Sequence, residues 1–310
     1  MPHSAGFRPT LYFLVGPTAV GKTALSLACA QRFNAEILSC DSLCVYRGMD
    51  IGTAKPTREE RALVPHHGLD LVPVSAQYSV EAYAAYAREV VADCAARQRH
   101  VLVVGGSGFY LKSFFAPVND GIEIAPAITD RVSAIYAQGG LGALLAALRP
   151  YDIEEKATLD RRNPRRVAKA LERCLATGQP LVDLQRAFAT LPKPWTGYRK
   201  QVCLLEREGG DLRNRVRERV GVMFAEGLLE EVRRLRAAGI EENPSAAGAI
   251  GYREPLQWLG QGGALQSLKE LIAVHTDQLI RKQRIWFRRQ IPVHTRLLAT
   301  NATPDGAFPD

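Results

Sequence analysis

The stretch Gly16-Pro17-Thr18-Ala19-Val20-Gly21-Lys22-Thr23 follows directly on the apolar run Leu11-Tyr12-Phe13-Leu14-Val15 and leads into Thr23-Ala24-Leu25-Ser26-Leu27-Ala28. A short apolar run that ends in glycine predicts a buried strand, and the alanine- and leucine-rich stretch after it predicts a helix that starts at the loop. Strand, glycine loop and helix in that order open a parallel α/β sheet, so this unit constrains the fold more than any other. The two glycines let consecutive backbone N–H groups converge on one point, and the positive end of the helix dipole adds to them there. Such a point binds phosphate. Lys22 brings a full charge for the outer phosphate oxygens, and the Thr23 hydroxyl is expected to hold a magnesium ion that bridges them. A P-loop serves kinases, ATPases and other phosphate binders alike, so the reaction has to be read elsewhere.

Ala35 to Ser39 predicts a second strand, ending at Cys40-Asp41-Ser42. An acid at the C-terminal end of a strand beside a P-loop strand opens onto the ligand crevice of such a sheet, which points Asp41 at whatever the phosphate carries. Tyr46 to Pro56 lacks periodicity and is expected to loop over the same crevice. Ser79 to Ala96 predicts a helix with Ser79 as N-cap. Val101 to Val104 then predicts a central parallel strand that stops at Gly105-Gly106-Ser107-Gly108. That end returns to the crevice, so the Ser107 hydroxyl lies near the phosphates, although a plain turn also uses serine.

From Pro117 to about Pro194 strand signals vanish. Helices are expected at 127–138, 142–149, 153–159 and 164–177, the last closed by Gly178. Strand signal resumes at Gln201 to Leu205, so the helical block reads as an insertion, 121–196, in an α/β core made of 1–120 and 197–310. Asn163 and Pro164 cap a helix that carries Arg165, Arg166 and Lys169 in its opening turns. From Asp211 the chain is expected to be mostly helical, interrupted by a glycine loop at 248–254. Arg213, Arg215, Arg217 and Arg219 spread over more than one helix face. A long basic helix over 268–290 carries Arg281, Lys282, Arg284 and Arg288 beside Trp286 and Phe287, and a frayed tail is expected from Thr300.

Charge gives these clusters weight. The net charge is +8 over 310 residues, and two acid-free basic clusters in a phosphate-binding protein favour a nucleic-acid partner over a solvated face. Six scattered cysteines without zinc spacing predict reduced thiols. Neither a membrane-length apolar run nor a secretory leader is evident, so the cytoplasm is the expected compartment.

Six segments in the same order resemble the bacterial tRNA dimethylallyltransferase (tRNA isopentenyltransferase, IPP transferase) family. They are GPTAVGKT at 16–23, CDSLCVYRGMDIGTAKP at 40–56, PHHGLD at 65–70, VVGGSGFY at 103–110, IGYRE at 250–254 and RKQRIWFR at 281–288. The resemblance runs over nearly the whole chain, and its DS-x-x-x-YRGMDIGTAKP block is far more specific than the P-loop. It implies a P-loop NTPase-like core with an inserted helical domain. The implied reaction moves a dimethylallyl group from dimethylallyl diphosphate to N6 of the adenosine 3′ of a tRNA anticodon, with Mg2+.

By this likeness the P-loop holds a diphosphate leaving group, with Lys22 and Thr23-bound magnesium offsetting its charge. Asp41 is the implied general base, since an adenine amine is a poor nucleophile and needs a carboxylate to orient it and take its proton. Ser107 stands where the family usually has threonine and is expected to donate to the diphosphate. Arg219 matches a diphosphate-binding arginine, with Arg215 as the alternative. The family's tRNA contacts map onto Asp41, Ser42, Leu43 and Cys44, onto Arg165, Arg166 and Lys169, onto Gly251, Tyr252 and Arg253, and onto Arg281, Lys282, Arg284 and Arg288. The inserted helices would grip the anticodon stem loop, and a monomer is expected. Gly248, Asp277 and Ile285 depart from the family pattern, which puts single tRNA contacts in doubt, and the zinc-finger extension of eukaryotic relatives is not seen. Competing readings are a P-loop small-molecule kinase, an adenylate prenyltransferase and a non-catalytic nucleic-acid binder.

Overall fold

The computed structural model describes residues 7–152 and 156–309. The chain runs β1 (Leu11–Val15), α1 (Lys22–Arg32), β2 (Ala35–Cys40), α2 (Arg58–Leu63), β3 (His66–His67), α3 (Val80–Ala96), β4 (His100–Gly105) and α4 (Gly108–Lys112). It continues with α5 (Pro126–Leu148), α6 (Pro164–Thr177), α7 (Leu181–Ala189), β5 (Lys200–Glu206), α8 (Gly209–Ala225) and α9 (Leu228–Ala237). Last come α10 (Pro244–Ala247), α11 (Arg253–Gln261), α12 (Leu265–Gln290), β6 (Thr295–Leu298) and α13 (Pro304–Ala307). The six strands form one sheet in the order β3-β2-β4-β1-β5-β6, with every neighbouring pair parallel.

The central strands read as apolar runs because both of their faces are covered. Leu11, Phe13 and Val15 of β1 enter one core with Val101 and Val103 of β4 and Val202 and Leu204 of β5, beneath α3, α8, α9 and α12. Leu14, Leu102, Cys203 and Leu205 enter a second core on the other face, beneath α1 and α13. All six cysteines are free and buried.

The tail corrects the reading of a frayed end. β6 joins the sheet as an edge strand, and Phe308 is buried against Tyr12 and Phe33, with ring centroids 4.9 and 5.8 Å away. Two aromatic partners fix what Pro and Gly composition alone suggests is loose.

Residues 116–194 make a compact unit separate from 7–115 and 195–309. Val132, Leu144, Leu148, Val167, Leu171 and Cys174 build its core. The expected helices at 127–138 and 142–149 are the two arms of α5, which breaks where Gly139 (φ −147°, ψ 18°) and Gly140 (φ 59°, ψ −147°) leave the helical region. By length and composition Pro126–Tyr151 could cross a membrane, but the span is broken at Gly139-Gly140, and Val132, Leu144 and Leu148 pack with Val167 and Leu171 of α6 in the core of this unit. The expected helix at 153–159 starts on 153–155, outside the described residues, and 156–159 are irregular. α6 ends at Gly178 in the left-handed conformation (φ 69°) after starting at Asn163, whose side chain accepts the Arg166 N–H.

Candidate active site

Parallel pairing brings the strand ends together. Val15 and Cys40 both register with Gly105, and Val15 registers with Leu204. The residues that follow, Gly16, Asp41, Gly106-Ser107 and Arg207, therefore leave the sheet along one edge, the crevice expected of an open parallel sheet.

The P-loop crosses that edge. Gly21 sits at φ +106°, and the α1 N-terminus has no side-chain cap, so its first N–H groups remain available to an anion. Ala19 also adopts a positive φ of 63°. Lys22 folds back over the loop, its Nζ donating to the carbonyls of Gly16 at 2.9 Å and Pro17 at 3.0 Å. Burial pushes its ammonium down to about 8 despite the pull of Asp41, and Arg219 adds to the fall. Burial likewise lowers Arg219, against Asp41. Two cations thus share an environment with one carboxylate and favour an added anion.

Asp41 accepts the Leu43 N–H at 2.9 Å through Oδ1, which fixes the carboxylate and leaves Oδ2 without a hydrogen bond among the described residues. Ser107 does not cap α4. Its Oγ accepts the Ser42 N–H at 2.9 Å and lies 3.2 Å from the Ser42 hydroxyl, tying the Asp41 turn to the glycine-rich end of β4. From α8, Arg215 donates to the Ala19 carbonyl at 3.1 Å and Arg219 to the Thr53 carbonyl at 3.2 Å. The two are four residues apart and share a helix face, so both candidates for the diphosphate arginine reach the loops around the crevice.

Gln283 was not singled out by the sequence. From α12 its Oε1 accepts the Thr18 N–H at 3.0 Å and its Nε2 donates to the Gly106 carbonyl at 3.3 Å, so one side chain sews the P-loop to the end of β4. Its neighbour Arg284 donates to the Arg207 carbonyl at 2.7 Å, and Arg207 donates to the Val20 carbonyl at 3.1 Å. Trp286 packs so closely on Gly108 that a Cβ there would fall 2.7 Å from the indole. The only hint in the sequence was a glutamine between two basic residues.

The 46–56 loop is a locked structure. Lys55, 7% exposed, donates to the Tyr46 carbonyl at 2.9 Å, to Asp50 at 2.6 Å and to Asp70 at 2.7 Å, and Arg61 adds a 3.0 Å pair to Asp70. Partial burial would raise the Asp70 carboxyl, but Lys55 and Arg61 outweigh it and hold it below its ordinary range. Much of the YRGMDIGTAKP and HHGLD pattern is therefore structural.

Two expected tRNA contacts need correction. The Cys44 and Tyr252 side chains are 5% and 0% exposed, because both fill the core beneath the loops that carry them. Gly251 is buried as well, while Asp41, Ser42, Leu43 and Arg253 are half-buried. On α12, Arg281, Lys282 and Arg288 are exposed and Arg284 half-buried. Asp277 lines a pocket together with Arg213, Arg281 and Arg284. In the helical unit Arg165 and Arg166 are exposed, Arg166 pairs with Asp160 at 3.3 Å, and Lys169 with Glu172 at 2.6 Å.

Spacing gave no metal cluster, yet Glu36, His67 and Cys94 converge away from the crevice. Glu36 is already paired there with Arg97 and with His67, the latter at 2.8 Å, so a guanidinium fills the place of a cation.

The model of the IPP transferase family matches residues 44–290. A tRNA dimethylallyltransferase of Opitutus terrae is 48% identical over 290 residues, spanning 94% of this chain and 93% of that protein. One from Salinispora tropica is 40% identical over 285 residues, 90% of this chain and 86% of that one. Among solved structures, a tRNA delta(2)-isopentenylpyrophosphate transferase from Staphylococcus epidermidis is similar with a TM-score of 0.66 at 30% identity, over 96% of this chain and 95% of that one. A eukaryotic dimethylallyltransferase acting on tRNA shares the fold, with a TM-score of 0.79 at 24% identity over 94% of this chain and 74% of that one.

Proposed function

The chain belongs to the IPP transferase family, and we propose on that premise that the crevice at the strand ends binds dimethylallyl diphosphate and delivers its prenyl group to a tRNA adenosine. The protein is a prenyltransferase that acts on tRNA. The observation that carries the residue-level reading is Asp41, a fixed carboxylate with one open oxygen beside the cations Lys22 and Arg219.

In this reading the diphosphate lies on the P-loop amides 19–23, with Lys22 turning from the Gly16 and Pro17 carbonyls to its oxygens and Arg219 beside it. Ser107 donates to the same group. The adenine N6 attacks the allylic carbon as the carbon–oxygen bond to diphosphate breaks, and the Asp41 Oδ2 takes the N6 proton. The Thr23 hydroxyl is on the exposed first turn of α1 and makes no hydrogen bond among the described residues, so this oxygen suits magnesium. Magnesium, once bound, would offset the charge of the leaving group. The acceptor is the adenosine 3′ of the anticodon. Arg281, Lys282, Arg284 and Arg288, the Asp41–Leu43 turn and Arg253 contact its stem loop, and Arg165, Arg166 and Lys169 contact it from the helical unit. The enzyme acts as a monomer in the cytoplasm.

The test is transfer of labelled dimethylallyl diphosphate into an unmodified tRNA with adenosines around its anticodon, beside a parallel reaction with AMP, both with magnesium. Label in the tRNA alone supports the reading. Label in AMP alone would leave the P-loop chemistry and refute the role of the basic helices, and label in neither would refute the donor.

A further inference from the structure

Glu231 lies in the first turn of α9 and is 2% exposed. Its Oε2 accepts the N–H groups of Asp50 at 3.1 Å and Ile51 at 2.8 Å, and its Oε1 accepts the Gly52 N–H at 3.2 Å and the Tyr252 hydroxyl at 2.7 Å. Among the described residues it has no cationic partner. Three consecutive backbone donors form a concave nest of the kind that binds anions, and here an internal carboxylate fills it. Three of the four neighbours are backbone N–H groups that can only donate, and they lie against both oxygens, so a group that accepts at both ends satisfies the site.

The four donors come from two loops with different tasks. The residue after the nest, Thr53, offers its carbonyl to Arg219, the arginine assigned to the diphosphate. Tyr252 comes from the 248–252 loop, next to Arg253, and its ring lies against Gly52 so closely that a Cβ there would fall 2.5 Å from Cζ. The chain neighbours of Tyr252 on either side, Gly251 and Arg253, are both held by Glu254, at 2.8 and 2.7 Å, and His275 joins that carboxylate at 2.6 Å.

We propose that Glu231 is a positioning residue that joins the loop placing Arg219 to the loop carrying Arg253, so that one carboxylate sets the donor-side and tRNA-side geometry together. This rests on the reading of the site given above. Tyr252→Phe removes only the link between the loops and keeps the nest filled, whereas Glu231→Gln turns an NH2 against at least one backbone N–H of the nest and disturbs both.

Wild-type enzyme is assayed first with labelled dimethylallyl diphosphate and unmodified tRNA, and absence of transfer refutes the proposed function itself. Given transfer, Tyr252→Phe is expected to raise the KM for tRNA by about 3- to 10-fold, the range for one lost buried hydrogen bond, with the Kd for inorganic diphosphate unchanged. Glu231→Gln is expected to raise both constants and lower kcat by about 10-fold or more, with faster amide exchange at 50–53 below the melting temperature. A purely structural role predicts a lower melting temperature with KM and kcat intact in the folded protein, and that result overturns the proposal. If Glu231→Gln does not fold, an unchanged tRNA KM in Tyr252→Phe overturns it alone.

Discussion

The ammonium of Lys22 hydrogen-bonds to the carbonyl of Gly16 at 2.9 Å, so in this conformation the lysine closes the loop it is meant to serve. Donor binding has to exchange two carbonyl contacts for phosphate oxygens. The lysine's pKa of about 8 makes that exchange pH-dependent. A bound diphosphate restores the charged form, so binding above pH 8 takes up a proton and binding at pH 6.5 takes up none through this group. We expect the wild-type Kd for inorganic diphosphate to rise up to about 10-fold per pH unit above pH 8, relative to Lys22→Ala. Calorimetry in two buffers of different ionisation enthalpy reads the proton directly, and identical pH profiles for the two proteins would refute the assignment. Because the folded pKa lies below that of an unfolded lysine, the same group opposes folding below pH 8, and that opposition fades as pH rises toward 10.5.

Asp41→Asn keeps the oxygen that accepts the Leu43 N–H, so the turn survives while the charge is lost. Turnover should fall by about 10²- to 10⁴-fold, the range for a positioned general base, with diphosphate affinity within a few-fold of wild type. Single-turnover transfer at saturating tRNA measures this. A change within a few-fold would remove Asp41 from the chemistry.

Gln283→Ala should leave the Thr18 N–H without its partner and free the P-loop from the Gly106 carbonyl. One such loss costs about 1 kcal/mol, hence roughly a 5-fold weaker diphosphate Kd. Titration with diphosphate reads it, and an unchanged Kd would show that the loop holds its shape without α12.

What the sequence disclosed and what it hid divide by range. The P-loop, the Asp41 turn and the glycine-rich end of β4 were legible because each is local: a strand pattern, then a residue type at its C-terminal end. The Gln283–Thr18 contact spans 265 residues, and Glu231 reaches Asp50–Gly52 across about 180, so only the assembled fold shows either. β3 has two residues and β6 alternates at an edge, so neither has the apolar run that betrays a central strand. Tyr252 misled because a motif position names a residue type and says nothing of which way its ring turns. The helical unit was visible by composition, but α7 was missed: it starts after Pro180 without a side-chain cap to mark it.

Gly52→Ala tests how tightly the 50–52 loop is packed. The new methyl would lie 2.5 Å from the Tyr252 ring, and neither the buried ring nor a loop tied to Glu231 can readily yield. Overpacking of this kind costs about 1–3 kcal/mol. Thermal denaturation should show a melting temperature lower by several degrees, about 2–4 °C per kcal/mol for a chain of this size or less. An unshifted transition would mean the ring moves freely.

The basic face of α6 yields a ranked prediction. Lys169 is tied to Glu172 and Arg166 to Asp160, whereas Arg165 makes no ion pair with any described residue. A phosphate that meets Lys169 or Arg166 must compete with a carboxylate, but Arg165 is free to neutralise one outright. Charge reversal at Arg165 should therefore weaken tRNA binding more than reversal at Lys169, and removing one phosphate contact should flatten the slope of log K against log salt by about 0.7–0.9. Donor affinity should not change in either variant, since the P-loop belongs to the other unit. Filter binding of tRNA over a salt series separates these outcomes. Equal slopes for wild type and Arg165→Glu would take Arg165 out of the tRNA interface, and a larger effect at Lys169 would mean that its pair with Glu172 opens on binding.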